Sequence, residues 1–397
     1  MRPLGSSYFL LSFAARFPFA MLIIGSLTVV VAARESVTLG GYNAAVLGIG
    51  HASFAGVIGA LADRFGQRRV VLSATIVNTL AMLNLAVLAY SSAPDWLLLI
   101  GAFVLGASAP CVGPLSRTRT AAATPNLHDR NRAFATEAML DEISFVFGPL
   151  VVGMLATAFS AATPLVVAAA LTIVLCTAFA LHSSANAVTA VTQATAPTVP
   201  LSHLLHRPVL TTALGLLAIG FCFGSTLVSL TALMQLSGEE SQAGIWYSLM
   251  GVGSAVCAWL VGRLPAHISQ NLRWLVAGVI VIAGAVLYSV TPTGFGLAAA
   301  MLLIGVGVGP ALVTIYSLAS LRSPAGRAAT VMTVLGAALT LGQSVSSALT
   351  GFAADRWGVE LALHLPLAAG GLMLLIAVWD ALAERARRAR QIPTTRV

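Results

Sequence analysis

Lysine does not occur in this chain of 397 residues, and all 21 of its basic residues are arginines. A Walker-type phosphate loop needs a lysine, so a self-contained ATP motor is excluded. Acidic residues number 13, and all charged residues together make up only 9%. A soluble domain carries about a quarter charged residues, so this chain cannot cover its surface against water. Cysteine is also scarce: Cys111, Cys176, Cys222 and Cys257 lie far apart, each within an apolar run. They have neither metal-ligand spacing nor the pattern of a disulfide framework and read as small apolar residues. No nucleophile, base or metal ligands cluster near either end of the apolar runs, so an enzyme is not expected, nor is a cofactor or a metal.

What is abundant is hydrophobic residue, at 58% of the chain, with a mean hydropathy of +0.92. The apolar runs are about twenty residues long, enough to cross roughly 30 Å of hydrocarbon as helix. Membrane barrels instead alternate polar and apolar residues over segments of about ten. The pattern predicts an all-α membrane protein with twelve spans, at Ser7–Ala33, Gly40–Ala62, Val70–Tyr90, Trp96–Leu115, Ala133–Phe159, Pro164–Leu181, Val209–Gln235, Ala243–Gly262, Leu272–Val290, Gly294–Leu321, Ala325–Ala354 and Leu361–Ala383. The first run ends in VVVAARES, which resembles a signal-peptide cleavage site, but it is too long for that and reads as a retained span. Residues 1–182 and 208–383 form two six-helix bundles in this reading. Between them, 183–207 has the Ser, Thr and Pro content of a cytoplasmic linker, and 384–397 is a basic cytoplasmic tail. Leu98–Gly106 (LLIGAFVLG) echoes Leu302–Pro310 (LLIGVGVGP), each in the fourth span of its half.

The arginines orient the chain. With both termini cytoplasmic, the loop arginines from Arg2 to Arg327 and the tail from Arg385 to Arg396 fall inside, leaving only Arg34 and Arg356 outside and Arg16 within a span. Positive charge then faces anionic lipid headgroups, which disposes of a nucleic-acid partner despite the net charge of +8. A multi-pass protein of a bacterial inner membrane is expected, as a monomer in the lipid bilayer.

One stretch has a pattern of its own. Gly59–Arg69, GALADRFGQRR, places Gly59, Leu61, Ala62, Asp63, Arg64, Gly66, Arg68 and Arg69 between the second and third spans. It resembles the signature loop of the major facilitator superfamily of secondary transporters, with Gln67 where that family usually has a basic residue. The resemblance implies two halves rocking about a midplane site. It also implies that Asp63 meets the start of the eleventh helix and holds the cytoplasmic side shut in the outward-facing state. Ser323 as cap, Pro324 at the first helical position, Gly326 and Arg327 supply a suitable start. Gly148, Pro149 and Gly153 in the fifth span resemble the hinge motif of the antiporter branch. Two features depart from that branch: Ala102 stands where an arginine is usual, and Arg16 where an acid is common. The family lines its cavity with the first, fourth, seventh and tenth helices, which here offer Phe13, Arg16, Phe19, Ser108, Phe221, Phe223, Ser225, Thr226, Gln235, Thr314, Tyr316 and Ser317. Such a lining is mainly apolar and aromatic with scattered hydroxyls.

Charges inside spans carry the mechanism or hold the packing. Arg16 lies about nine residues into the first span, and Asp141 and Glu142 about nine into the fifth, roughly 13 Å from their helix starts. The pair is either a switch linked to protons or substrate, or a static ion pair between two helices. Asp141 and Glu142 point about 100° apart, so one of them at most faces Arg16. Glu137, nearer the helix start, reads as structural. His51, mid-span in the second helix, is a proton sensor or hydrogen-bonded packing. The expected function is alternating-access, proton-coupled export of apolar or amphipathic small molecules. The alternatives are a transporter of a metabolite or organic anion anchored by Arg16, or a lipid flippase.

Overall fold

The computed structural model describes residues 5–34, 37–124, 126–186, 188, 206–236, 243–265 and 267–391. The described residues form helices and no strands. In order they are α1 (Ser6–Arg34), α2 (Val37–Phe65), α3 (Gln67–Tyr90), α4 (Asp95–Ala107), α5 (Val112–Ala123), α6 (Leu127–Ala158), α7 (Thr163–Leu171), a π-helical turn (Thr172–Cys176) and α8 (Thr177–Leu181). Then follow α9 (Arg207–Leu236), α10 (Ala243–Val261), α11 (Gln270–Val290), α12 (Gly294–Arg322), α13 (Ala328–Trp357) and α14 (Val359–Gln391).

Among the described residues, ten helical segments are long and apolar enough to cross a membrane, with α4–α5 and α7–α8 each counting as one. The two expected spans outside this set are α6, whose 32 residues include several charges, and α10, whose apolar part is Trp246–Val261. Large apolar side chains such as Ile76, Val87, Phe147 and Leu375 stand exposed on the outside of the bundle, as lipid contact requires.

Several expected boundaries need correction. The fourth span does not end at Leu115: it breaks between Ala107 and Val112, then resumes and runs to Ala123. Pro110 brings no N–H to the break, while Pro114 falls in the first turn of α5, where none is needed. The fifth helix begins at Leu127 rather than Ala133, because Asn126 caps it by accepting from the backbone N–H of His128 at 2.9 Å. Its first two turns are polar, so counting apolar residues missed them. The last helix, α14, runs on from the expected span into the basic tail as far as Gln391. Most of the expected linker, at 187 and 189–205, lies outside the described residues.

Helices of the two chain halves meet along two seams. In one, α2 packs on α13, and in the other α6 packs on α10 and α12. At the first seam a Cβ on Gly59 would lie 2.8 Å from the backbone of Ala329 and Thr330, so only glycine allows the approach. At the second, the backbone of Gly262 lies against Asn131, Arg132 and Ala135. Asn131 ties the same seam through its Oδ1, which accepts from Ser317 Oγ at 2.6 Å and Gln270 Nε2 at 3.2 Å. All these contacts lie toward the Asp63 end of their helices.

Candidate functional site

Where the two seams converge, α1, α2, α5, α6, α12 and α13 enclose a cavity of about 90 Å³. Its wall includes Arg16, Phe19, His51, Gly113, Arg117, Asp141, Ser144, Tyr316 and Thr340. The break before α5 is what brings Arg117 here: a helix ending at Leu115 would have left it in a loop.

Four charges form one cluster against this cavity. Glu137 on α6 is fully buried and takes a hydrogen bond from Arg16 Nη2 on α1. Its other oxygen accepts from Ser116 Oγ at 2.7 Å and Thr120 Oγ1 at 2.9 Å, both on α5. Ser116 is held in turn by Tyr8 and Ser12, each 2.7 Å away on α1. Asp141, one turn along α6 from Glu137, lies between two cations. Its Oδ1 is 2.8 Å from Arg16 Nε, and its Oδ2 accepts from Arg117 Nη2. Asp141 is 26% exposed where Glu137 is 0%, so the two carboxylates differ in access to the cavity. Gly113 of α5 packs against the cluster, where a Cβ would be in van der Waals contact with Arg16, Arg117 and Asp141 at 3.4–3.5 Å.

Across the cavity, Tyr316 of α12 lies under Arg117, with the guanidinium carbon 3.9 Å from the ring centroid. The cluster of the first chain half is thereby touched by a residue of the second. Three guanidinium donors in the cluster, Arg16 Nε, Arg16 Nη1 and Arg117 Nε, are buried without a hydrogen-bond partner.

The expected residues are distributed as follows. Arg16, Asp141 and His51 line the cavity together, His51 stacking at 4.7 Å on Phe19. Glu142 lies on α6, but its side chain is outside the described residues, as is that of Pro149. Of the eight main cavity candidates, Arg16, Phe19 and Tyr316 line it. The others do not. Phe13 pairs with Phe17 along α1, and Ser108 Oγ donates to Val104 O and accepts from Asn78 in a separate groove between α2 and α3. Phe221 and Phe223 pack against the core of the second half, and Thr226 is fully buried. Ser225 bonds back to Phe221 O, Ser317 binds Asn131, Thr314 is buried, and the side chain of Gln235 is outside the described residues. Gly148 faces α1, where a Cβ would come within 2.8 Å of Ala20, rather than the other half; Gly153 touches nothing.

At the gate stretch, Asp63 accepts from the backbone N–H groups of Ala329 at 3.0 Å and Thr330 at 2.8 Å, and from Thr330 Oγ1. The aspartate of one half thus caps a helix of the other. Ser323 and Pro324 do not start that helix: Ser323 ends α12, and Arg327 stands at the N-cap of α13. Arg64, Arg68 and Arg69 are exposed, Arg64 lying over Phe65, and Gly66 turns the chain with φ 86°.

Reading apolar runs left Arg117, the buried Arg119 and the half-buried Arg322 in loops, and did not join Glu137, read as structural, to Arg16. Arg119 binds Gln67, Phe179 O and Ser184, and stacks 3.8 Å from the Phe179 ring. Just beyond that span, burial and then the charge of Arg119 lower the proton affinity of His182. Arg322 pairs at 2.7 Å with the buried Asp380, which also binds Thr211 and Asn271. Among the described residues no three His, Cys, Asp or Glu side chains group to hold a metal.

The model of the Major Facilitator Superfamily matches residues 7–347. The chain belongs to that superfamily. Its members are transporters. Among solved structures, the human organic anion transporter MFSD10 (TETRAN) is similar at 19% identity and a TM-score of 0.67, covering 94% of this chain and 96% of its own. A bacterial homologue of the iron transporter ferroportin in its outward-facing state is similar at 13% identity and a TM-score of 0.71, over 95% and 99%. The same homologue with soaked iron gives 15% and 0.70, over 96% and 100%. At such identities the likeness is one of fold. No curated protein matches the sequence.

Proposed function

We propose that this superfamily member is a proton-coupled secondary transporter of amphipathic organic anions. It has twelve membrane crossings in two six-helix bundles, with both termini cytoplasmic, and works by rocking the bundles about the Arg16–Asp141–Tyr316 cavity. The observation that carries the reading is the cluster itself. Two arginines and a partly accessible carboxylate face one cavity between the halves, and ionisable groups at membrane depth are costly, so such a cluster marks function by default. Phe19, Pro110, Val112 and Leu339 add an apolar part to the wall, which suits an amphipathic cargo. At about 90 Å³ the cavity holds a few waters only, so cargo enters when the halves part. Asp63 on the α13 backbone and Asn131 at the other seam close the cytoplasmic side in this reading, as in an outward-facing or occluded state.

A second reading, export of apolar or amphipathic molecules in exchange for protons, draws on the Gly148–Pro149–Gly153 resemblance and the apolar wall. One experiment separates them. A fluorescent lipophilic anion and a fluorescent lipophilic cation are followed in pump-deficient cells expressing the chain, with and without a protonophore. The expected result is expression-dependent, protonophore-sensitive movement of the anion. Expulsion of the cation supports the second reading. Movement of neither dye by a well-expressed chain overturns both.

A further inference from the structure

Asp141 occupies the place of an anion. One of its oxygens accepts from Arg117 and the other is paired at 2.8 Å with Arg16 on a different helix, the two cations a bound carboxylate or sulfonate would meet. The other carboxylate of the cluster is differently made. Glu137 is fully buried, spends both oxygens on Arg16, Ser116 and Thr120, and cannot leave without breaking all three contacts. The cluster therefore holds one fixed counter-ion and one exchangeable one. Arg16 Nη1 and Arg117 Nε, buried and unpartnered, add donors that Asp141 does not use. An acceptor with three oxygens could use them.

The geometry points to an anion-exchange step: the cargo's anionic group displaces Asp141 from Arg16 and Arg117, and Asp141 takes up a proton from the open side. The step rests on the transport function proposed above. Charge balances, since a carboxylate leaves two cations as the neutral acid while the incoming anion replaces it. Every charged or titratable group facing Asp141 has its place. Arg16 on α1 and Arg117 on α5 change partner, Tyr316 on α12 stays under Arg117, His51 on α2 stays against Phe19, and the Cys111 thiol before α5 keeps its bond to Ala109 O. On α6 itself, Glu137 stays on Arg16, so only one of the two positive charges needs a new counter-ion. A carboxylate left in the cavity without its arginines would be a costly buried charge, and neutralises instead. Binding of one anion thus brings one proton, and the two move in the same direction across the membrane. That sign is opposite to the antiport expected from the hinge motif.

The test is anion binding to the purified full-length chain in detergent, with 1-naphthalenesulfonate as probe because it stays ionised at every pH used. Binding is read from ligand-dependent thermal stability between pH 5.5 and 8. The wild type is expected to lose affinity by up to about tenfold per pH unit where one proton accompanies the anion. Asp141→Asn is expected to bind the probe equally at all pH values. The double variant Arg117→Gln with Asp141→Asn keeps the charge balance and is expected to bind at least tenfold more weakly, which controls for misfolding of the single one. Affinity that is flat or rises with pH in the wild type overturns the exchange step. So does absence of probe binding in both wild type and Asp141→Asn. If either occurs while the lipophilic anion is still moved in cells, the transport function stands and only this step falls.

Discussion

Glu137 and Asp141 lie one turn apart on the same helix, yet their surroundings give them different parts. Glu137 has no exposure and three polar partners on α1 and α5, so it is structural in the strict sense that other groups depend on it. Removing one member of a buried ion pair costs about 3–5 kcal/mol, because the partner charge is left uncompensated. Arg16 retains Asp141, which places Glu137→Gln at the lower end. We expect Glu137→Gln to lower thermal stability in detergent clearly, and Glu137→Leu with Arg16→Met to lower it less than Glu137→Gln alone. Equal stability of Glu137→Gln and the wild type would remove Glu137 from the cluster's support. Its position was obscured in the sequence by six residues of helix. With α6 starting at Leu127, Glu137 lies ten residues in, the same as Arg16 from Ser6, and the two meet at one depth. Gln67 is a second case. It departs from the family pattern, and the structure shows it buried and accepting from Arg119 at 2.8 Å, where a basic side chain would face another cation.

At the scale of helices, the seam between α2 and α13 sets the conformation. Gly59 brings the backbones together, and Asp63 then reaches two N–H groups that begin α13 and have no partner within it. Hydrogen bonds to a charged acceptor are worth about 1.5–3 kcal/mol, so losing the charge shifts a two-state equilibrium by about tenfold or more. Cys111 lines the cavity and is a natural reporter of that shift. In a Cys176→Ala, Cys222→Ala and Cys257→Ser background, Asp63→Asn is expected to raise the rate at which an impermeant thiol reagent labels Cys111 from the Asp63 side, by tenfold or more. Unchanged labelling would mean that other contacts, those of Asn131 foremost, hold that side shut. The signature stretch made Asp63 legible in the sequence, and the partner helix with it. The capping partners were not: Ser323 and Pro324 have the right chemistry for a helix start but end the preceding helix instead. Arg117 was illegible for a related reason. A buried cation needs a partner, and its partner Asp141 sits on another helix, 24 residues on, at a spacing no helical period links.

For the molecule as a whole, the number of crossings turns on α6 and α10. Composition excludes them from the set of apolar helices, but composition counts charges without asking where they point. The charges of α6 that the structure describes near mid-helix, Glu137 and Asp141, turn inward to Arg16 and Arg117, while Phe147 and Met154 face outward. Its 32 residues span about 48 Å, ample for a bilayer. Chain termini do not distinguish ten crossings from twelve, since both numbers are even. The segment between the halves does. If α6 crosses, six segments precede Ser183 and that residue lies on the same side as both termini; if it does not, five precede it and Ser183 lies opposite. Ser183 is exposed, so a Ser183→Cys chain with its native cysteines replaced can be labelled in sealed vesicles of known orientation. We expect Ser183→Cys and a cysteine at the N-terminus to be labelled from the same face. Labelling from opposite faces would place α6 along the membrane rather than through it. The cluster would then no longer sit between two halves, and a transport cycle could not be built around it.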